Sequence, residues 1–343
     1  PVVIDTQSNN SALFWQLSGP SQTGGAVRFT STDSQETGVN FNPVRILAPG
    51  NYVMAINATG TSTGSFSFRV AALAEAAPIT LGQPQDLVQT PGNRSNLYSF
   101  TASAGQKLYF DHISGSTSPY WRLIDPAGNL VFGPTVLSDV EAPLLDLSGT
   151  YTLMIEGRIG QSVPQTLQFA VREIVKETAP LVLGDNITGT LTGAGERDSY
   201  TFTLPADAYL VFDSLLDSRD VTWSLKGPSG ELAAYDFQRA DSNYRGDSTA
   251  IFAAAGDYVL SVDGSGDTIG DYAFRLFDMA SAAPLVLDAV TTGTLDPGNS
   301  TKAFKFSATA GERLFFDAQG NTSNGHWRLL DPHGRLVFWT GND

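Results

Sequence analysis

The sequence contains no cysteine, which excludes disulfides, zinc–thiolate centres and a thiol nucleophile. No apolar run approaches the ~18 residues of a membrane-spanning helix, so membrane insertion is not expected. No signal-peptide pattern opens the chain, where Pro1-Val2-Val3-Ile4 already reads as strand. Charge is scarce, at 16% of residues against ~25% in ordinary soluble domains. Basic residues are scarcer still: 20 Lys and Arg face 35 Asp and Glu, for a net charge of −15. Phosphate recognition needs clustered cations, so no nucleic-acid partner is expected, nor docking on anionic lipid. His112, His326 and His333 are the only histidines, and none of their positions recurs along the chain. His-Glu-x-x-His, Gly-x-Ser-x-Gly and P-loop patterns are all absent, and the chain is not expected to be an enzyme.

What the sequence does have is repetition. Trp121-Arg122-Leu123-Ile124-Asp125-Pro126-Ala127-Gly128-Asn129-Leu130-Val131-Phe132 returns, with nine of twelve positions identical, as the run from Trp327 to Phe338. Weaker copies begin at Trp15 and Trp223, so the four tryptophans stand 106, 102 and 104 positions apart. Asp5, Asp111, Asp213 and Asp317 each precede their tryptophan by ten residues. Ala77-Pro78, Ala179-Pro180 and Ala283-Pro284 open three units, and Gly50-Asn51-Tyr52, Gly149-Thr150-Tyr151 and Gly256-Asp257-Tyr258 introduce a late strand in three. Repeats of this period are one supersecondary or domain unit each. The expected domains are 1–73, incomplete at its start, 74–174, 175–279, and 280–343, incomplete at its end. A window onto a longer array accounts for both partial units.

Within a unit the periodicity is that of strands. Tyr200-Thr201-Phe202-Thr203-Leu204 alternates large apolar with small polar residues, as a half-buried strand requires. Asp125-Pro126-Ala127-Gly128 and Gly227-Pro228-Ser229-Gly230 carry turn chemistry, since proline presets the first turn position and glycine relieves the last. No stretch sustains a helical i, i+3, i+4, i+7 pattern. About seven or eight short strands per unit predict an all-β tandem array of β-sandwich repeats. Periodicity leaves open whether each is a jelly roll or an immunoglobulin-like Greek key. Trp15, Trp121, Trp223 and Trp327 are expected to anchor the space between sheets, since a large ring buries much apolar area. Short joints ending in Ala-Pro leave neighbouring sandwiches little room to reorient, predicting a semi-rigid rod.

Ala179 to Gly184, Gly189 to Leu191, Asp198 to Phe202 and Val211 to Asp213, with the later Gly-Asp-Tyr and Tyr-Ala-Phe strands, form a pattern that resembles the bacterial pre-peptidase C-terminal domain. It is similar also to sandwich repeats strung along large bacterial surface proteins. The resemblance implies a jelly-roll-like sandwich, secretion, and a role as an accessory or spacer module. The acidic cluster that binds calcium in some relatives has no counterpart around Pro78, Pro180 or Pro284, and that site is not carried over.

Few polar residues invite a functional reading. Asp111, Asp213 and Asp317 are candidate calcium ligands, but calcium takes about six to eight oxygens and a single carboxylate recurs, so turn capping is the simpler role. Asp125 and Asp331 become Gly19 and Gly227 in sister units, an exchange that a turn tolerates and a shared metal site does not. Glu156 and Asp263 occupy equivalent places in separate repeats, too far for an acid–base pair at ~5–10 Å. Trp339 falls outside the repeat register and is the candidate glycan contact. The leading expectation is a structural or adhesive repeat region of a secreted or cell-surface bacterial protein. It would form a stalk or extracellular fibre, with other copies of itself or matrix polysaccharide as partners and no cofactor beyond possible calcium. The rivals are a carbohydrate-binding array and an accessory region of a secreted hydrolase.

Overall fold

Alternating residues make the strands and decide their faces. In strand Arg197–Leu204, Tyr200, Phe202 and Leu204 are buried while Thr201 and Thr203 face water. A computed structural model describes residues 1–20, 22–23, 27–29, 42–174, 176–240, 250–319 and 325–341. The chain divides into two compact units, Pro1–Ile174 and Val175–Asp343.

In the first unit, residues 77–173 build two facing sheets. One runs, in spatial order, Leu130–Val136, Tyr120–Ile124, Gly149–Glu156, Asn96–Ala102 and Ala77–Pro78. The other runs Val140–Glu141, Leu108–Gly115, Gln165–Glu173 and Gln85–Gln89. Every pairing is antiparallel except that of Ala77–Pro78 with Asn96–Ala102. In the second unit the same order recurs. One sheet holds Lys176–Pro180, Arg197–Leu204, Gly256–Gly264, Val221–Gly227 and Gly230–Asp236; the other holds Asn186–Leu191, Gly270–Asp278, Ala208–Ser214 and Ile251–Ala253. Apart from the leading parallel strand, the chain passes repeatedly between two four-stranded sheets. That is the jelly-roll connectivity of two Greek keys, and it settles the question that periodicity left open. Among the described residues the fold is all-β, as the alternation predicted, with sandwich repeats and no barrel.

The tryptophans sit where the sheets meet. Trp121 is fully buried, edge-on to Phe110 at 5.9 Å, among Phe100, Leu108, Leu123, Tyr151 and Phe169. Trp223 lies flat on Phe212, with ring centroids 3.9 Å apart. Trp15 is buried with Ile4, Leu13 and Leu17. Trp327 is only half-buried, edge-on to Phe316, in a segment where the paired strands are Ala283–Pro284 with Phe304–Lys305 and His326–Leu330 with Leu336–Gly341. Burying such a ring removes ~150–250 Å² from water, at most ~4–6 kcal/mol at ~25 cal/mol/Å².

The repeated Gly-x-Tyr has a geometric cause. Gly50, Gly149 and Gly256 stand at φ +147°, +146° and +145°. A Cβ there would lie 2.6, 2.9 and 2.5 Å from the rings of Pro20, Pro126 and Pro228, the prolines of the hairpin turn. The tyrosine two residues on turns its hydroxyl back to a carbonyl four residues upstream: Tyr52 to Ala48, Tyr151 to Leu147, Tyr258 to Ala254. Glycine, tyrosine and turn proline thus form one corner lock, which is why they recur together.

Candidate functional site

Three of the recurring aspartates, Asp5, Asp111 and Asp213, stand inside strands, not in turns, whereas Asp317 lies outside any strand. Asp111 and Asp213 are buried in Leu108–Gly115 and Ala208–Ser214, which corrects the turn-capping expectation. Each is held by an arginine of the last strand: Arg172 Nε donates to Asp111 Oδ2 at 2.8 Å, and Arg275 donates to Asp213 Oδ2 at 2.6 Å. The arginine compensates the charge of each carboxylate at Oδ2, while Asp111 Oδ1 is buried without a hydrogen-bond partner. Asp317 is exposed and accepts from the Gln319 amide at 2.8 Å. The three calcium candidates therefore do not share one environment.

Two of the aspartates reach beyond their own segment. In the first unit Asp5, opposite Arg69 across the strand pair Val2–Thr6 and Phe68–Ala72, accepts from the Ser95 hydroxyl at 2.9 Å and the Ser95 amide at 3.1 Å. Arg69 also donates to the Ser95 carbonyl, and Asn93 Nδ2 donates to the Gln7 carbonyl at 2.9 Å. In the second unit Asp213, opposite Arg275, accepts from the Thr301 amide at 2.9 Å. Arg275 donates to the Thr301 carbonyl, and Asn299 Nδ2 donates to the Ser214 carbonyl at 3.0 Å. Burial pushes the Asp5 carboxyl above its ordinary pKa, opposed by the bonds from Ser95 and Gln7 and by the Arg69 charge. Sequence reading passed over Arg69 and Arg275. Their signal is an arginine in the last strand, in register with the recurring aspartate.

Four further carboxylates, Glu156, Asp263, Asp198 and Asp331, are engaged in structural contacts. Glu156 is buried with Arg122, whose Nε lies 2.8 Å from Glu156 Oε2. Asp263 is held by Arg197 at 2.5 Å. Each of the two carboxylates is therefore engaged by an arginine. Asp198 accepts from the Tyr272 hydroxyl, which also meets the Tyr200 hydroxyl at 2.6 Å. Burial raises the Asp198 pKa, the Tyr272 bond lowers it and Glu196 adds to the rise; burial together with Asp198 raises that of Tyr272. Asp331 shapes its turn by accepting from the backbone amides of His333 and Arg335, and Arg335 holds its carboxyl down at about 2. Trp339 is 45% exposed and stacks on His326 at 5.0 Å with 16° between the planes. No helix among the described residues is long and apolar enough to cross a membrane.

No family model matches the chain, and no curated protein matches it. Among solved structures, the pre-peptidase C-terminal domain of a collagenase from Bacillus anthracis is similar at 23% identity and TM-score 0.24, covering 30% of this chain and 96% of that one. PliG, a periplasmic inhibitor of g-type lysozyme from Aeromonas hydrophila, is similar at 17% identity and TM-score 0.22, covering 28% and 96%. The CUB1-EGF-CUB2 region of human MASP-1/3 is similar at 8% identity and TM-score 0.20, covering 56% and 99%.

Proposed function

We propose that the chain is a structural or adhesive repeat region of a secreted or cell-surface bacterial protein, extending as a semi-rigid stalk or fibre. The observation that carries this reading is the identity of what recurs. Core tryptophans, the Gly-x-Tyr corner lock and the turn prolines return from segment to segment, and the returning aspartates at 5, 111 and 213 are spent on arginine pairs. A site multiplied along an array would keep its polar residues, whereas a scaffold keeps its packing. Electron microscopy of the native material tests it. Beaded rods or fibres with a bead spacing of ~30–40 Å, the size of a ~100-residue domain, are the expected image. Single compact particles would sink the stalk.

The exposed stack of Trp339 on His326 favours a second reading, glycan binding, because a flat apolar ring open to water suits the face of a sugar. Retention of the chain on insoluble polysaccharide, abolished by Trp339→Ala, would move the assignment to a carbohydrate-binding array.

A further inference from the structure

The four segments are of two kinds, and the difference lies at the Asp–Arg pairs. Segments 1–73 and 175–279 share Gly19-Pro20 and Gly227-Pro228 at the turn, and an arginine directly across from the aspartate, Asp5 with Arg69 and Asp213 with Arg275. Segments 74–174 and 280–343 share Trp-Arg-Leu at 121 and 327, Asp-Pro-x-Gly at 125 and 331, and Pro-Gly-Asn at 91 and 297, each 206 positions apart. In 74–174 the residue across from Asp111 is Ala170, and its arginine comes two positions later, as Arg172. In 175–279 the place of Pro-Gly-Asn is taken by Gly193-Ala194-Gly195. There Glu196 folds the loop onto itself, accepting from the Thr192 and Gly193 amides at 2.5 and 2.8 Å.

In the two complete segments, 74–174 and 175–279, the two halves of the contact therefore occur separately, and they meet once inside each compact unit. Arg69 and Arg275 each bridge their own aspartate and a carbonyl of the following segment, that of Ser95 or Thr301. The asparagine two residues earlier, Asn93 or Asn299, donates to the chain just past the aspartate, at Gln7 or Ser214. Asp5 and Asp213 are almost wholly buried in this contact, and a buried carboxylate persists only when paired and hydrogen-bonded.

We propose that the Asp–Arg pair of one segment type is a docking site whose partner is the Pro-Gly-Asn-x-Ser/Thr loop of the other. The array is then assembled from two-repeat blocks of about 206 residues, not from single sandwiches, and the contact specifies which segment follows which. This goes beyond the stalk reading and holds whatever the array carries.

The absence of cysteine makes the test direct. Spin labels at Thr61→Cys and Ser138→Cys, both on exposed positions either side of the contact, report the distance between the two segments of the first unit by pulsed electron resonance in the full chain. The parent is expected to give a single narrow peak. Arg69→Met on the docking side, and Asn93→Ala with Ser95→Ala on the loop side, are each expected to lose that peak while the near-ultraviolet spectrum of the sandwich aromatics is kept. The loop-side variant reads the contact even if Arg69→Met unfolds its own segment. A narrow peak that survives either substitution set would overturn the proposal.

Discussion

The sandwiches at 74–174 and 175–279 share every strand in the same order, yet they fill the same polar position from opposite sides. Glu156 and Asp263 close equivalent strands, Gly149–Glu156 and Gly256–Gly264. Glu156 takes its arginine from Tyr120–Ile124, the neighbour on one flank, and both partners are fully buried. Asp263 takes its arginine from Arg197–Leu204, the neighbour on the other flank, and both remain about a quarter exposed. The frame fixes where a carboxylate stands but not which strand must answer it. Polar positions drift between repeats, while packing and corner geometry do not.

Breaking the two pairs in parallel should give the largest contrast. Arg122→Met leaves Glu156 buried without its arginine and should cost the 74–174 sandwich ~3–5 kcal/mol. Arg197→Met exposes Asp263 to water and should cost 175–279 no more than ~1 kcal/mol. Denaturant titration read by hydrogen exchange of peptides from each sandwich separates the two, and equal losses would contradict the burial argument. The shared corner should respond alike in both. Gly149→Ala and Gly256→Ala each force a left-handed φ on alanine and press a Cβ against Pro126 or Pro228. Each should cost ~1–3 kcal/mol in its own sandwich by the same readout; a cost confined to one would show that the lock is not common to them.

The smallest effect is one of pH and again divides the pair. Asp198 is buried in 175–279, where 74–174 has Asn96 at the equivalent place. Burial raises the Asp198 pKa above its ordinary 3.8, so the folded state binds the proton more tightly than the unfolded state. Its contribution to stability is full below the unfolded pKa and is lost as pH rises through the folded value. Asp198→Asn should remove that loss from the stability–pH curve of 175–279 and leave 74–174 unchanged; an unaltered curve would count against the raised pKa.

Most of the frame was legible in the sequence because it depends on local chemistry. Alternation marked Arg197–Leu204, Asp-Pro-Ala-Gly marked the hairpin between Tyr120–Ile124 and Leu130–Val136, and Gly-x-Tyr marked the corner. Connectivity was not legible, because two sandwiches with different strand orders share one period. The aspartates at 111 and 213 were found by recurrence but assigned to turns. Their arginines lie about 60 residues away and meet them only across a finished sheet. The bonds from Arg69 to the Ser95 carbonyl and from Asn93 to the Gln7 carbonyl escaped for a stronger reason: each joins two segments, so no single repeat contains the contact.

The most direct test of the proposed stalk is to stretch the full chain in optical tweezers. Each complete sandwich has its own core, so the expected trace shows discrete unfolding steps of ~350 Å, about 100 residues at ~3.5 Å each. A smooth extension at low force, without steps of that size, would contradict a stalk built from independently cored sandwiches.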